Sequence, residues 1–348
     1  MSPNPSVLTG HSIARRTLLS GLGAMAAGRA LAQTATPIKF SCDFRVYGGT
    51  APFFYGLDTG LFKAQGVDAT VDGSLGSGDA VTRVASGAYD FGCADVSTLV
   101  EFTSRNPAAA PKLIMPIYDR FPACIVSLQP KPVTSIKGLE GITLGISTAD
   151  AGSRILPALL RLRGVDASKI KMITIDQRLR DSMLIRRQVD AVIGFDYTVL
   201  YNLIGNGIRK EDVNFVYYSD NGFNFYGQGL IAAQRHVNDN PALVRSVATA
   251  VAQSWLAAAK NPDAAIASIT KRDALADATV EKDRMNWVLN HHVLTPNVRA
   301  NGIGAMDMTR LNDGIKIVAE GFQLPAPIPG NQIFDGRFIP PADIRHVG

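Results

Sequence analysis

Gly66-Val67-Asp68 and Gly164-Val165-Asp166 each close an amphipathic stretch and open a short β-like run. In both halves an Asp, at 90 and at 190, then leads into a second β-like run, Phe91-Gly92-Cys93 and Ala191-Val192-Ile193-Gly194. Strands that alternate with helices at such short intervals specify parallel sheets with helices on both faces. The same grammar written twice predicts two similar α/β lobes, and 348 residues give room for both at about 150 residues per domain. The first unit reads as a strand over 38–46, a helix opened by Thr50 and Pro52, a strand over 68–72, a helix over 79–86 and a strand over 89–93. A helix capped by Asp95 or Ser97 and the strand "KLIMPIY" complete it. The second unit reads as the strand "GITLGI", a helix to Arg163, a strand over 171–174, a helix over 181–188 and a strand over 189–194. The short runs Ala123–Leu128 and Gln228–Ala233 are expected to be the two hinge crossings. The expected layout is a first lobe over 33–122, a second over 123–230, and a return to the first over 231–348. That return is helical, with Leu243, Val247, Val251 and Trp255 spaced as a core stripe, and ends in a Pro-rich strap from "LPAPIPG" to "RFIPP".

Residues 1–32 read as an address. Arg15 and Arg16 precede a weakly apolar Gly/Ala-rich stretch that ends in the small-x-small pattern Ala30-Leu31-Ala32. "SIARRTLLSG" resembles a twin-arginine (Tat) export signal, which implies a periplasmic protein. Of 35 basic and 30 acidic residues, three arginines lie in this segment, so 32 against 30 remain, a net of +2. Interspersed charges of that balance exclude a nucleic-acid partner, which needs clustered Lys and Arg. The mean hydropathy is +0.08, and no uncharged apolar run reaches the 18 or so residues of a membrane span. Cys42, Cys93 and Cys124 are odd in number and lack a CxxC or Cys/His cluster, so buried free thiols are expected and no metal or cofactor.

In α/β lobes the carboxyl ends of the strands carry the binding loops. Those ends are Phe44–Phe54, Ser74–Asp79, Ala94–Ser97, Ser147–Ser153 and Phe195–Tyr197. Several are rich in Gly, Ser and Thr and open helices, which suits an anionic group. The candidates there are Ser77, Gly78, Ser97, Ser147, Thr148 and Ser153, with Arg45 as a charged partner. Gly76 and Gly78 are equally consistent with a tight turn. Tyr47, Phe53, Phe54, Tyr197 and Phe225 are the candidate aromatic contacts, in a chain that is only 7% aromatic. Consecutive aromatics on a helix cannot share one face, so some of these belong to the core. Asp196 is placed to accept from an amine or ring N–H, or to cap the helix that follows.

"APFFYGLDTGLFKAQGVDATV", "GSGDAVTRVASGAYDFGCADVSTL", "GLEGITLGISTADAGSRILPALLRLRGVD", "VDAVIGFDYT" and "IFDGRFIPPADI" together resemble, in order, periplasmic binding proteins for sulfonate, taurine, nitrate and thiamine-pyrimidine precursors. The likeness spans essentially the whole chain after residue 32. It implies the periplasmic-binding-protein type II fold, hinge closure on a small molecule, and delivery to an ABC permease and ATPase by a monomer. The loops "FDY" and "YSDNGFNFYGQG" match no single ligand type. The aromatic content favours a flat aromatic or heteroaromatic solute with a polar or anionic edge. A sensory binding subunit is the second alternative.

The same resemblance admits an enzyme, because desulfinases of this fold place a Cys near the end of the first strand with His and Arg partners, and Cys42 is in that region. Activating a thiol needs a base or a depressed pKa. None of the five histidines (11, 236, 291, 292, 346) falls between 33 and 235, and His291 and His292 are expected to cap a helix or stay solvated. No P-loop or HExxH is present, and the dinucleotide-like Gly21–Ala26 lies within the address segment. The sequence thus points to a binding protein rather than an enzyme.

Overall fold

The computed structural model describes residues 35–147 and 150–347. The expected export signal at 1–32 and the candidate Thr148 lie outside these. Ten strands form two five-stranded sheets. The first holds β1 (Thr36–Ser41), β2 (Val67–Asp72), β3 (Phe91–Asp95) and β4 (Lys112–Pro116). The second holds β5 (Ala123–Leu128), β6 (Thr143–Ile146), β7 (Lys171–Thr174), β8 (Ala191–Phe195) and β9 (Val213–Tyr217), and β10 (Gln228–Ala232) returns to the first. Their orders are β2-β1-β3-β10-β4 and β7-β6-β8-β5-β9. In each sheet one antiparallel strand, β10 or β5, is inserted between otherwise parallel neighbours.

The recurrence read in the sequence persists at atomic scale. Asp90 Oδ2 accepts from the Lys39 amide at 2.7 Å, and Asp190 Oδ2 accepts from the Thr143 amide at 2.7 Å. Asp90 thereby ties β1 to the start of β3, and Asp190 ties β6 to the start of β8. Gly66 and Gly164 take φ of +71° and +63°, a region without penalty only for Gly, which ends a helix at each place; at Gly66 the strand β2 then begins at the next residue.

Pairing corrects the expected hinge. Ala123–Leu128 and Gln228–Ala232 are central strands, not crossings. The crossings are residues 117–122 and 218–227, which run together: Tyr118 N donates to Gln228 O at 2.8 Å, Gly227 N to Tyr118 O at 2.9 Å, and Phe121 N to Phe225 O at 3.0 Å. Arg310, from the helix Met308–Gly321, donates to Asp119 Oδ1 at 2.8 Å and to Phe225 O at 3.0 Å, holding both crossings at once. β1 is also shorter than its apolar run suggested; from Cys42 the chain leaves the sheet and turns toward the groove between lobes.

The helix Pro241–Lys260 buries the stripe Leu243, Val247, Val251 and Trp255 against the first lobe. The C-terminal strap is broken into one-turn helices and touches the first sheet through Leu113 and Phe334.

Candidate functional site

A groove of about 620 Å³ lies between the lobes, within the range of small-molecule sites. One wall is made by the ends of β1, β2 and β3: Asp43, Phe44 and Tyr47, then Leu75–Asp79, then Asp95. The facing wall is made by the segments after β6, β7 and β8: Asp150, Ala151 and Arg154, then Gln177, Arg178 and Arg180, then Phe195 and Tyr197. Gln228 joins the first wall because β10 is antiparallel: its beginning lies where its neighbours end, and it pairs with Asp95. Phe44, after β1, and Phe195, at the end of β8, are half-buried on facing walls. Deeper in, the nearly buried rings of Tyr47 and Tyr197 join the two walls by stacking on each other, centroids 6.1 Å apart and 15° from parallel.

Charge is divided between the walls. Arg154 reaches across to Glu101 with two contacts of 2.6 Å, closing the groove on one side. Arg180 donates to Asp181 Oδ1 at 2.8 Å, and the exposed Arg178 donates to Asp176 Oδ2 at 2.6 Å. Asp150 caps the helix Ala151–Leu162, accepting from Ser153 N at 2.8 Å, and burial outweighs Arg180 to raise its carboxyl. The first wall is less satisfied. Burial, with the charge of Asp95 added, pushes Asp43 up to about 7 against the pull of its own backbone N–H. Burial raises Asp95 to about 6, although Ser97, Thr98 and the amide of Thr98 (3.1 Å) bond its Oδ1. Asp95 Oδ2 and Gln228 Oε1 are buried without a hydrogen-bond partner.

Of the residues expected at the site, Tyr47, Ser77, Gly78 and Tyr197 line the groove. Ser77 Oγ accepts from the Asp95 amide at 3.0 Å. Phe53 and Phe54 do not line it; their helix, Ala51–Asp58, is packed on more than one side. Phe53 contacts Phe40 and Trp255 at 4.9 and 5.7 Å, and the Arg272 guanidinium covers Phe54. Phe225 is buried at the hinge against Gly314, whose missing side chain makes room for the ring. Arg45 is exposed beside the Phe44 ring instead of entering the groove. Ser97 is buried against Asp95, while Ser147 and Ser153 bond each other, the Ser147 amide donating to Ser153 Oγ at 3.2 Å. Asp196 is fully buried and outside the groove. It accepts from Tyr217 Oη (2.8 Å), Trp287 Nε1 (2.7 Å), its neighbour's amide (2.7 Å) and His292 Nε2 (2.8 Å). His292 is correspondingly buried, not solvated as its place at a helix end suggested.

Sequence reasoning left Asp43, Asp79, Asp95, Glu101, Asp150, Arg154, Arg180 and Gln228 off the site. Asp79, Asp95 and Asp150 lay in the strand-end segments, and capping was a sufficient account of Asp95. Gln228 could be found only from the antiparallel sense of its strand. Cys42, Cys93 and Cys124 are free and buried, and burial first of all pushes each thiol well above its usual range.

The family description "NMT1/THI5 like" matches residues 49–265. The riboflavin-binding protein RibY of Chloroflexus aurantiacus is 24% identical over 303 residues, 83% of this chain and 82% of RibY. Among solved structures, the periplasmic aliphatic sulphonate binding protein SsuA of Escherichia coli superposes with a TM-score of 0.69 at 13% identity, covering 86% of this chain and 92% of SsuA. The desulfurization enzyme DSZB does so with a TM-score of 0.56 at 14% identity, covering 87% and 97%. With its matched residues spanning both lobes, the chain belongs to the NMT1/THI5-like family and has the periplasmic-binding-protein type II fold.

Proposed function

We propose that this protein captures a small, flat heteroaromatic solute with a polar edge in the periplasm and delivers it, as a monomer, to an ABC permease and its ATPase. One observation carries the reading: the ends of β1 and β8, one in each lobe, present Phe44 with Tyr47 and Phe195 with Tyr197 to a single groove at the hinge. Aromatic side chains stack on a flat ring for about 0.5–1.5 kcal/mol each beyond the area buried. A ligand touching both walls binds the closed arrangement better than the open one and shifts the population toward it. The name of RibY, a riboflavin-binding protein, agrees with a flat nitrogen heterocycle; the sulphonate named for SsuA would need a more cationic groove.

Export through the Tat route accounts for residues 1–32, and an exported protein that begins at Gln33 on N-terminal sequencing is the expected product. Against the desulfinase alternative stands Cys42, buried in the core with a thiol pushed up instead of down. A thermal-shift screen of the exported protein tests the reading, with riboflavin and lumichrome set against taurine and alkanesulfonates. Stabilisation by the ring compounds, with a smaller radius of gyration at saturation, is expected. Stabilisation by the sulfonates alone would overturn the heteroaromatic reading.

A further inference from the structure

The groove's carboxylates and arginines differ in how completely they are paired. All three arginines that line it, Arg154, Arg178 and Arg180, already have carboxylate partners in the protein. Among the described residues, Asp43 has no hydrogen-bond donor other than its own backbone N–H. Asp95 is 1% exposed and keeps Oδ2 empty-handed, and Gln228, 2% exposed, does the same with Oε1. Asp43 and Asp95 bear on each other electrostatically, and Gln228 stands opposite Asp95 in the strand register, so the acceptors share one floor.

Buried acceptors without donors are costly, and a charged one more so. A protein retains them where a ligand supplies the missing donors. An anion placed on this floor would meet carboxylates and an amide oxygen. A planar group carrying several N–H donors and a positive charge would instead bond the acceptors together, as charge-assisted hydrogen bonds roughly twice the strength of neutral ones.

We infer that the polar edge of the ligand is a cationic, planar nitrogen group of the amidine or protonated amino-heterocycle class, seated on Asp43, Asp95 and Gln228. The inference rests on the ring-binding groove proposed above and replaces the anionic edge expected from the Gly- and Ser-rich helix starts. It also assigns the walls different tasks. Phe44, Tyr47, Phe195 and Tyr197 hold the ring, and the first-lobe floor reads its edge.

Three probes of one shape separate these claims: naphthalene-2-carboxamidine (cation), naphthalene-2-carboxamide (neutral) and naphthalene-2-sulfonate (anion), titrated calorimetrically at pH 8 into the full exported chain. The amidine should bind at least tenfold tighter than the carboxamide, with the sulfonate weakest. Asp95→Asn keeps a good helix cap, and Asp43→Asn keeps the side chain's shape. Each should cut the amidine's advantage over the carboxamide below threefold, and melting curves will show that each variant folds. If the carboxamide or sulfonate binds as tightly as the amidine, or if both variants retain the full preference, the cationic edge is overturned and the ring-binding groove stands. If none of the three naphthalenes binds, both fall.

Discussion

Asp95 ends β3 in the first lobe and Asp196 follows β8 in the second, so matching ends of the two sheets each carry a buried carboxylate with opposite surroundings. Burial works to raise Asp196, yet His292, Trp287 and Tyr217 together hold it below the usual carboxylate range. Asp95, with one oxygen bonded and the other bare, is pushed up to about 6, and Asp43 nearby to about 7. The contrast separates two uses of a buried charge. Trp287 and His292 from the C-terminal helical region close around Asp196 together with Tyr217 of β9, and so fasten the second lobe to that region. The first-lobe pair is left with acceptor capacity that faces the groove.

The largest effect is expected from Asp196→Ala, which leaves Tyr217, Trp287 and His292 facing an unpaired gap. Breaking a buried pair in this way costs about 3–5 kcal/mol, read as a fall in unfolding free energy by urea titration. A loss below about 1 kcal/mol would make Asp196 no different in kind from Asp95.

A smaller effect of opposite sign is expected from Asp43→Asn. The folded-state pKa lies above the ordinary value of 3.8, so the folded protein binds this proton more tightly than the unfolded chain. The charged carboxylate therefore destabilises the ligand-free protein above about pH 7, and that cost is relieved as pH falls from 7 toward 4. The groups facing it, Asp95 and the phenols of Tyr47, Tyr118 and Tyr197, supply no positive charge to reverse the sign. Asp43→Asn should gain about 1–3 kcal/mol at pH 8, with the gain shrinking toward pH 5. Asp196 follows the other rule: its contribution is present above pH 4 and lost on further acidification. Parallel pH–stability curves for Asp43→Asn and wild type would erase the distinction.

Glu101→Gln should do least to stability, within about 1 kcal/mol for a partly exposed pair. Because this pair joins the lobes, its loss should appear as a larger radius of gyration without ligand, recovered on ligand addition. An unchanged radius would mean that Arg154 and Glu101 do not help to close the groove.

The strands and helices were largely legible in the sequence because their signals are local: a run of apolar residues, a cap, a glycine that must take positive φ. Pairing was not. β5 and β10 are short apolar runs, and nothing in such a run says that it will lie between two strands of another segment. The aromatic part of the site was half legible. Tyr47 and Tyr197 follow strand ends, whereas Phe53 and Phe54 sit on a helix packed on several sides, where periodicity gives no inward face. The polarity of the site was the least legible. Its carboxylates double as a helix cap or close a strand, and the partner of Asp196 lies 96 residues away at His292.

The strand order also sets an order of assembly. On a growing chain β5 to β9 emerge consecutively, so the second sheet can be completed as soon as its last strand is made. The first sheet cannot. β3 and β4 wait, with edges that invite foreign strands, until β10 arrives after the whole second lobe has been synthesised. A second lobe that is already compact brings β10 to within the short span of the crossings, sparing much of the entropy of closing so long a loop. The lobe made first is therefore finished last, and unprotected sheet edges are the hazard of that interval.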